Sequence, residues 1–242
     1  MLNKRNIFII LILIIGLILG GGYYYLNQSY QPLEGNDEYL NKMNVSEYKK
    51  YYQFKSEDNI GIIFYPGGKV DATAYAPLAD MLSQKGFTTY IVKMPFNLAI
   101  FDKDRAEIIL DEYEQSIDNL YIMGHSLGGA MAASYLHENN VGKFKGIIFL
   151  ASYPPEKVDF SNKKLKALSI NGEKDQVIDR NKVEASKNIL PSGAEFNIIK
   201  GGNHAGFGNY GPQKGDGKRT ISREEQWKIT ANLISDFIQK NK

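Results

Sequence analysis

Short apolar runs alternate along the chain with longer stretches in which apolar and polar residues recur at helical spacing. The runs are rich in β-branched and aromatic residues, which predicts buried β-strands. Strands are predicted at residues 60–65, 87–92, 120–123, 146–150, 166–170 and 195–200, with a partly exposed strand at 51–54. Helices are predicted at residues 75–85, 104–115, 180–189 and 222–238. This alternation indicates an α/β fold with a mostly parallel central sheet and helices on both faces.

The N-terminal segment has a different pattern, because an almost unbroken apolar run over residues 7–26 follows Lys4 and Arg5. A run of about 20 residues can cross a hydrocarbon core of roughly 30 Å. The basic residues suit the cytoplasmic side of a membrane, and the tyrosines at 23–25 suit its outer interface. We therefore predict that residues 1–26 form a single-pass membrane helix, with the catalytic domain outside the cell. A cleaved signal peptide, which would give a secreted protein, is the alternative, although no small-x-small site built on alanine precedes the tyrosines.

The rest of the chain divides into a tether and one globular domain. Residues 27–48 are polar, contain Pro32 and Gly35, and are predicted to form the tether. Residues 49–242 contain all the predicted strands and are long enough for one hydrophobic core. We therefore expect a single catalytic domain.

Composition excludes several classes of function. The formal net charge is +2 and basic residues are interspersed with acidic ones, so no nucleic-acid partner is predicted. The chain contains no cysteine, which excludes disulfides, thiolate metal sites and a cysteine nucleophile. Its 3 histidines lack metal-ligand spacing, so we expect neither a catalytic metal nor a cofactor. The oligomeric state stays open.

The most informative motif is Gly-His-Ser-Leu-Gly-Gly at residues 124–129, between a predicted strand and a small-residue helix. A serine on a tight strand-to-helix turn has its hydroxyl exposed, and flanking glycines let such a turn close. The helix that follows adds a positive dipole end, and the backbone N–H of Leu127 would face a developing oxyanion. We interpret Ser126 as a nucleophile.

A serine nucleophile needs a base, and the candidates are the 3 histidines. His125 neighbours Ser126 on a sharp turn, where adjacent side chains diverge, so its role stays open. His137 lies roughly 16 Å away along the helix at 1.5 Å per residue, which excludes it. His204 remains, in a glycine-rich loop after a predicted strand, and we predict that it is the general base.

The acid that orients the base is expected after the strand at 166–170. Asp175 is the preferred candidate because it follows a glycine turn directly after that strand. Its carboxylate could accept the Nδ1–H of His204. Glu173 and Asp179 are alternatives, and Asp179 could instead cap the helix predicted at 180–189.

A second oxyanion donor is expected in the loop after the strand at 60–65, which reads Pro-Gly-Gly-Lys-Val-Asp. The paired glycines leave backbone N–H groups open to a substrate oxygen. We favour the N–H of Gly68, with that of Lys69 as the alternative. Two glycines after a strand could also simply form a turn.

Several strings in this chain are similar to those of a known family. They are YPGGKVD at 65–71, YAPLA at 75–79, MPFNLA at 94–99, GHSLGGAM at 124–131 and GNHAGFGNYG at 202–211. On these strings the chain resembles a small α/β-hydrolase of the type called alpha/beta hydrolase fold-5. The resemblance implies a serine hydrolase with Ser126, Asp175 and His204 as its triad, in the chain order serine, acid, histidine. It does not imply a substrate.

The sequence leaves no room for a sizeable helical lid over the predicted site. Only about 15 residues separate the strands at 146–150 and 166–170, which is too short for a sizeable helical lid. An uncovered site favours small or exposed acyl groups. We therefore predict a membrane-tethered, extracytoplasmic serine hydrolase that cleaves carboxylic esters of a small-molecule acyl substrate. An acyltransferase with the same triad and a non-catalytic surface binding protein on a hydrolase scaffold are the alternatives.

Overall fold

The computed structural model describes residues 3–113, 119–139 and 142–241. One sheet of eight strands runs through the domain, in the order β1-β2-β4-β3-β5-β6-β7-β8. The strands are β1 Val45–Glu47, β2 Tyr51–Phe54, β3 Ile60–Tyr65, β4 Thr88–Val92, β5 Asn119–His125, β6 Phe144–Leu150, β7 Lys166–Gly172 and β8 Glu195–Ile199. β2 is antiparallel to both of its neighbours, and every pairing from β4 to β8 is parallel. The carboxyl ends of the parallel strands therefore lie at one edge.

Seven α-helices accompany the sheet in the described part of the chain. They are α1 Lys4–Asn27, α2 Asp37–Leu40, α3 Ala76–Ser83, α4 Glu107–Tyr113, α5 Leu127–Asn139, α6 Arg180–Ser186 and α7 Arg223–Lys240. Single turns of 3-10 helix lie at Ala72–Tyr75, Pro95–Asn97, Ala99–Phe101, Lys103–Ala106 and Ala205–Phe207. The predicted helix at 104–115 begins as a 3-10 turn, and its residues 114 and 115 lie outside the described residues.

Alternating residues of the central strands build two cores. Ile62 and Phe64 of β3 share one core with α3 and α7, whereas Ile63 and Tyr65 share the other with α4 and α5. Successive side chains of a strand point to opposite faces, so a near-continuous apolar run is what a sheet covered on both faces requires. The predicted architecture is thus confirmed.

The predicted strands agree with the observed ones within a few residues at each end. β1 was not predicted. It consists of Val45–Glu47, is paired with residues 52–54 of β2, and is largely exposed. Three residues at a sheet edge, two of them exposed and one half-buried, give no apolar run from which a strand could be predicted.

The segment at 27–48 differs from the polar tether that was predicted. Tyr30 N–H donates to the carbonyl of Lys69 at 2.7 Å, and Asp71 N–H donates to the carbonyl of Tyr30 at 3.0 Å. The Asn36 side chain is buried and donates to the carbonyl of Thr73 at 2.8 Å. The segment is polar because it covers the surface of the domain, and its backbone is bonded to that surface.

The helix α1 contains the one stretch, among the described residues, that is apolar and long enough to cross a membrane. This stretch is Phe8–Asn27, with a mean hydropathy of 2.2 and none of it buried in the fold. A signal sequence has the same properties. Residues 151–165, between β6 and β7, are all described and contain no helix, in agreement with the absence of a sizeable lid.

Candidate active site

The strand-to-helix turn at Ser126 has the geometry of a nucleophile elbow. Ser126 is the single residue between β5 and α5, and its backbone φ is 51°, in the left-handed region that non-glycine residues rarely adopt. Its N–H donates to the carbonyl of Leu150 at 3.0 Å, and the Ser152 hydroxyl donates to its carbonyl at 2.6 Å. Two bonds to the end of the neighbouring strand β6 therefore hold the strained turn.

The glycines of the motif are required by close backbone contacts. A Cβ on Gly128 would lie 2.3 Å from the carbonyl oxygens of Tyr65 and Pro66, at the end of β3. A Cβ on Gly124 would lie 2.4 Å from the backbone of Gly129. No side chain fits at these separations, so the glycines let α5 begin directly against the sheet.

The structure brings the preferred acid and base together. His204 Nδ1 lies 2.8 Å from Asp175 Oδ2, and both residues are almost completely buried. The other carboxylate oxygen of Asp175 accepts hydrogen bonds from the N–H groups of Val177 and Ile178 at 2.8 and 3.0 Å. Both oxygens of the carboxylate are thus satisfied, which fixes its orientation toward the imidazole.

The two alternative acids have other partners. Glu173 accepts a hydrogen bond from the N–H of Gly201 at 2.9 Å. Asp179 caps α6, where its side chain accepts from the N–H groups of Asn181 and Lys182. The bond to the N–H of Gly201 lowers the pKa of the exposed Glu173. Neither carboxylate contacts His204 in the described structure.

His125 and His204 lie beside each other, with ring centroids 4.7 Å apart. His125 is fully buried, and its Nδ1 lies 2.8 Å from the hydroxyl of Tyr75. Burial, with a further contribution from His204, holds the pKa of His125 well below its usual 6.5. His125 is therefore a neutral packing residue next to the elbow. The Nε2 atom of His204 is also buried, and it has no hydrogen-bond partner within the described residues.

The loop after β3 contains one N–H that is not already bonded. The N–H of Gly67 donates to the Tyr75 hydroxyl at 3.0 Å, and that of Lys69 donates to the carbonyl of Asn97 at 2.7 Å. Gly68 lies between them, and its N–H donates to no acceptor in the described part of the chain. A Cβ on Gly68 would lie 2.9 Å from Cδ2 of Leu127, so the two predicted oxyanion donors are neighbours.

The loop that carries His204 is buried and tightly bonded, with every residue from 201 to 210 buried. The carboxylate of Asp216 accepts from the N–H groups of His204 and Ala205 at 3.2 and 2.9 Å. On its other side, the side-chain amide of Gln226 in α7 accepts from the N–H of Asn203 at 3.1 Å and donates to its carbonyl at 2.8 Å. These bonds fix the backbone from which the imidazole projects.

A sequence model of the alpha/beta hydrolase family matches residues 61–228. The match covers more than half of the chain, and it includes Ser126, Asp175 and His204. This chain belongs to the alpha/beta hydrolase family.

Individual relatives are distant. Protein phosphatase methylesterase 1 of Debaryomyces hansenii is 28% identical over 138 residues, which are 47% of this chain and 35% of that protein. The chain therefore spans about a third of the length of that relative. Among solved structures, a CIB-like hydrolase from Thermoplasma acidophilum has a TM-score of 0.57 and 20% identity, over 77% of this chain and 92% of that one. Est1E from Butyrivibrio proteoclasticus, solved with ferulic acid, has a TM-score of 0.59 and 12% identity, over 79% and 94%. At these identities, the structures establish the fold that the two share with this alpha/beta hydrolase.

Sequence reasoning on this alpha/beta hydrolase missed three residues that support the site. Tyr75 was predicted only as part of the helix at 75–85, and Ser152 and Asp216 were given no role. The order of the motifs along the chain carried no signal for them, because each acts through a contact across the fold. The one available hint was the resemblance of the YAPLA string at 75–79 to the family.

Proposed function

We propose that this alpha/beta hydrolase is a membrane-tethered, extracytoplasmic serine hydrolase that cleaves carboxylic esters through an acyl-enzyme on Ser126. The single observation that carries the proposal is the buried pair of Asp175 and His204, 2.8 Å apart, beside an elbow serine with a φ of 51°. A strained serine, a histidine and a buried carboxylate together are the parts that acyl transfer needs.

In the first half-reaction, the Ser126 hydroxyl attacks the ester carbonyl and gives its proton to His204. Nδ1 of the imidazole is engaged by Asp175, so Nε2 receives the proton. The carboxylate of Asp175 then stabilises the imidazolium that forms. The imidazolium returns the proton to the leaving alcohol, and the acyl group stays on Ser126. The hydrogen bond between a nucleophilic hydroxyl and its base, here Ser126 and His204, often tightens only when substrate is bound.

The tetrahedral intermediate carries a negative oxygen that needs donors. The N–H groups of Leu127 and Gly68 supply them, since neither has another acceptor in the described residues and both lie at the elbow. In the second half-reaction, His204 takes a proton from water, and the resulting hydroxide attacks the acyl-enzyme. As the bond between the acyl carbon and Ser126 Oγ breaks, His204 returns the proton to Oγ, so the acid product leaves and the free serine is restored.

An ester substrate is supported by the chemistry that relatives are named for. The sequence relative is a methylesterase, 28% identical to this chain over 138 residues. The family model that matches residues 61–228 includes Ser126, Asp175 and His204. The tether and the outward orientation rest on α1, in which the apolar stretch Phe8–Asn27 follows the basic residues Lys4 and Arg5. A secreted enzyme after signal cleavage is the alternative location.

Kinetics of the full chain with p-nitrophenyl esters tests the proposal, with Asp175→Asn compared against Asp179→Asn. Asp175→Asn is expected to lower kcat by about 10³- to 10⁴-fold, as loss of the orienting carboxylate does in other triads. Asp179→Asn keeps a side-chain cap on α6 and is expected to retain activity. Release of the free acid, followed alongside the alcohol, identifies hydrolysis. Equal activities of the two variants would contradict the role of Asp175.

A further inference from the structure

The end of α1 is bonded to the loop that carries the proposed oxyanion donor. Nζ of Lys69 lies 3.7 Å from the centre of the Tyr25 ring and also donates to the Tyr25 carbonyl. The chain that leaves the helix then pairs with the same loop, where Tyr30 forms a bridge to Val70. The C-terminal end of the apolar helix therefore contacts the loop that contains Gly68.

The same loop is bonded to a segment with exposed apolar side chains. The N–H of Lys69 donates to the carbonyl of Asn97, and the Leu98 side chain lies 3.6 Å from the position of a Cβ on Gly68. On this segment Phe96, Ile100 and Phe101 are 39%, 53% and 51% exposed. The two phenylalanine rings contact each other edge to face, with centroids 5.7 Å apart. We name Phe96, Ile100 and Phe101 the apolar rim.

The backbone of the apolar rim is strained. Phe96 and Asn97 have φ values of 53° and 54°, in a region that bulky residues rarely adopt. Backbone strain of this kind clusters at functional sites, and contiguous exposed apolar side chains mark a binding or membrane surface. The segment holds large apolar side chains in water, beside the site, at an energetic cost.

The surroundings of the apolar rim favour a membrane as its partner. The rim adjoins the end of a helix that can cross a bilayer, and the tyrosines at 23–25 of that helix are exposed, as interfacial aromatic residues are. Lys69, bonded to Tyr25, has the long aliphatic chain and charged end that suit the same interface. A bilayer that holds α1 would therefore have its surface next to the apolar rim.

We infer that the apolar rim lies on the membrane surface and that the substrate is an acyl ester of a lipid resident in that bilayer. This inference rests on the proposed function and names its substrate class. Residues 151–165 form no covering helix, so an acyl chain entering beside Leu98 and Leu127 would be shielded from water by the rim and the bilayer. The sequence alone favoured small or exposed acyl groups as substrates. This inference instead gives the substrate a lipid acyl chain.

The position of the rim can be measured without catalysis, because the chain has no cysteine. Full chains with Ile100→Cys or Ile198→Cys are labelled with an environment-sensitive fluorophore and reconstituted into phosphatidylcholine vesicles that contain spin-labelled lipid. Ile198 is a matched control, since it is the same residue type, is exposed, and lies on β8, separated from β3 by three strands. We expect loss of fluorescence at position 100 and none at 198. Equal quenching, or none at either position, would overturn the inference.

The substrate class is tested with wild-type full chain in vesicles that contain dioleoylglycerol, with p-nitrophenyl acetate as the water-soluble comparison. Release of oleate is expected. Turnover of p-nitrophenyl acetate without release of oleate would overturn the lipid substrate. Quenching at position 100 in a protein that turns over neither ester would instead contradict the proposed function, while supporting the location of the rim.

Discussion

The hydroxyl of Tyr75 lies 2.8 Å from Nδ1 of His125, and both side chains are completely buried. The same hydroxyl accepts a hydrogen bond from the N–H of Gly67, so one phenol joins the residue before Ser126 to the loop with the proposed oxyanion donor. Burial raises the pKa of Tyr75, which keeps it neutral. The elbow and the loop with the proposed oxyanion donor are therefore joined by a side chain outside the proposed triad.

Tyr75→Phe is expected to leave two buried polar groups without a partner, at Gly67 and His125. We expect a loss of about 1–3 kcal/mol in the free energy of unfolding. We also expect a lower kcat with little change in KM, since the oxyanion loop would lose its anchor. Chemical denaturation and steady-state kinetics measure the two effects. A stable variant with unchanged kcat would show that the loop is positioned without Tyr75.

Alanine at two glycines should separate folding from catalysis. A Cβ on Gly128 would meet backbone oxygens at 2.3 Å, whereas a Cβ on Gly68 would meet the mobile end of the Leu127 side chain at 2.9 Å. We expect Gly128→Ala to cost more than the roughly 1–3 kcal/mol typical of overpacking, and Gly68→Ala to fold but lose kcat/KM. Thermal unfolding and kinetics of both variants test this. The reverse order of stability would contradict the packing described at the elbow.

Acid should destabilise the fold through His125. Its pKa is depressed by burial in the folded state, so below about pH 6.5 the unfolded chain takes up a proton that the folded chain does not. The free energy of unfolding therefore falls as the pH drops through that value, at most by about 1.4 kcal/mol per pH unit from this group. Denaturation at several pH values should give a shallower slope for His125→Asn. The exposed His137→Asn serves as the control, and an unchanged slope for His125→Asn would refute the assignment.

Asp216 is expected to act on catalysis through the backbone of His204. Asp216→Ala removes the acceptor for the N–H groups of His204 and Ala205, so the imidazole would shift. A displacement of that kind lowers kcat by about 10- to 10²-fold. Glu173→Ala removes a similar bond in the same loop, at Gly201, and should leave kcat unchanged. Equal losses of kcat in both variants would indicate general loosening of the loop.

The sequence pattern predicts the architecture because the parallel strands are buried on both faces. β3 and β5 read as unbroken apolar runs, and their predicted positions agree with the structure. β1 at Val45–Glu47 could not be found in this way, because its pairing is made across the sheet edge and its side chains are mostly exposed. The segment at 27–48 is polar because it lies on the surface of the domain. Polarity alone does not distinguish a flexible tether from a segment whose backbone is bonded to that surface.

In the candidate site, local patterns predicted the strand-to-helix turn on which the structure has Ser126, and they narrowed the proposed acid to three residues. Distance then separated Asp175 from Glu173 and Asp179, because only Asp175 contacts His204. Tyr75 and Asp216 could not be predicted, since each contributes one contact between segments far apart in sequence. Residues that hold a site in place have less local signature than those that carry its chemistry.

A fluorophosphonate probe labels activated serines. Labelling of the full chain therefore tests whether Ser126 is activated and whether its activation depends on His204. Ser126→Ala and His204→Ala are compared with Ser134→Ala, whose hydroxyl donates to the carbonyl of Ala130 in the same helix, and with His137→Ala. Wild type and both controls are expected to be labelled, whereas Ser126→Ala and His204→Ala are not. Labelling that persists in Ser126→Ala, or a folded wild type that is not labelled, would contradict this expectation.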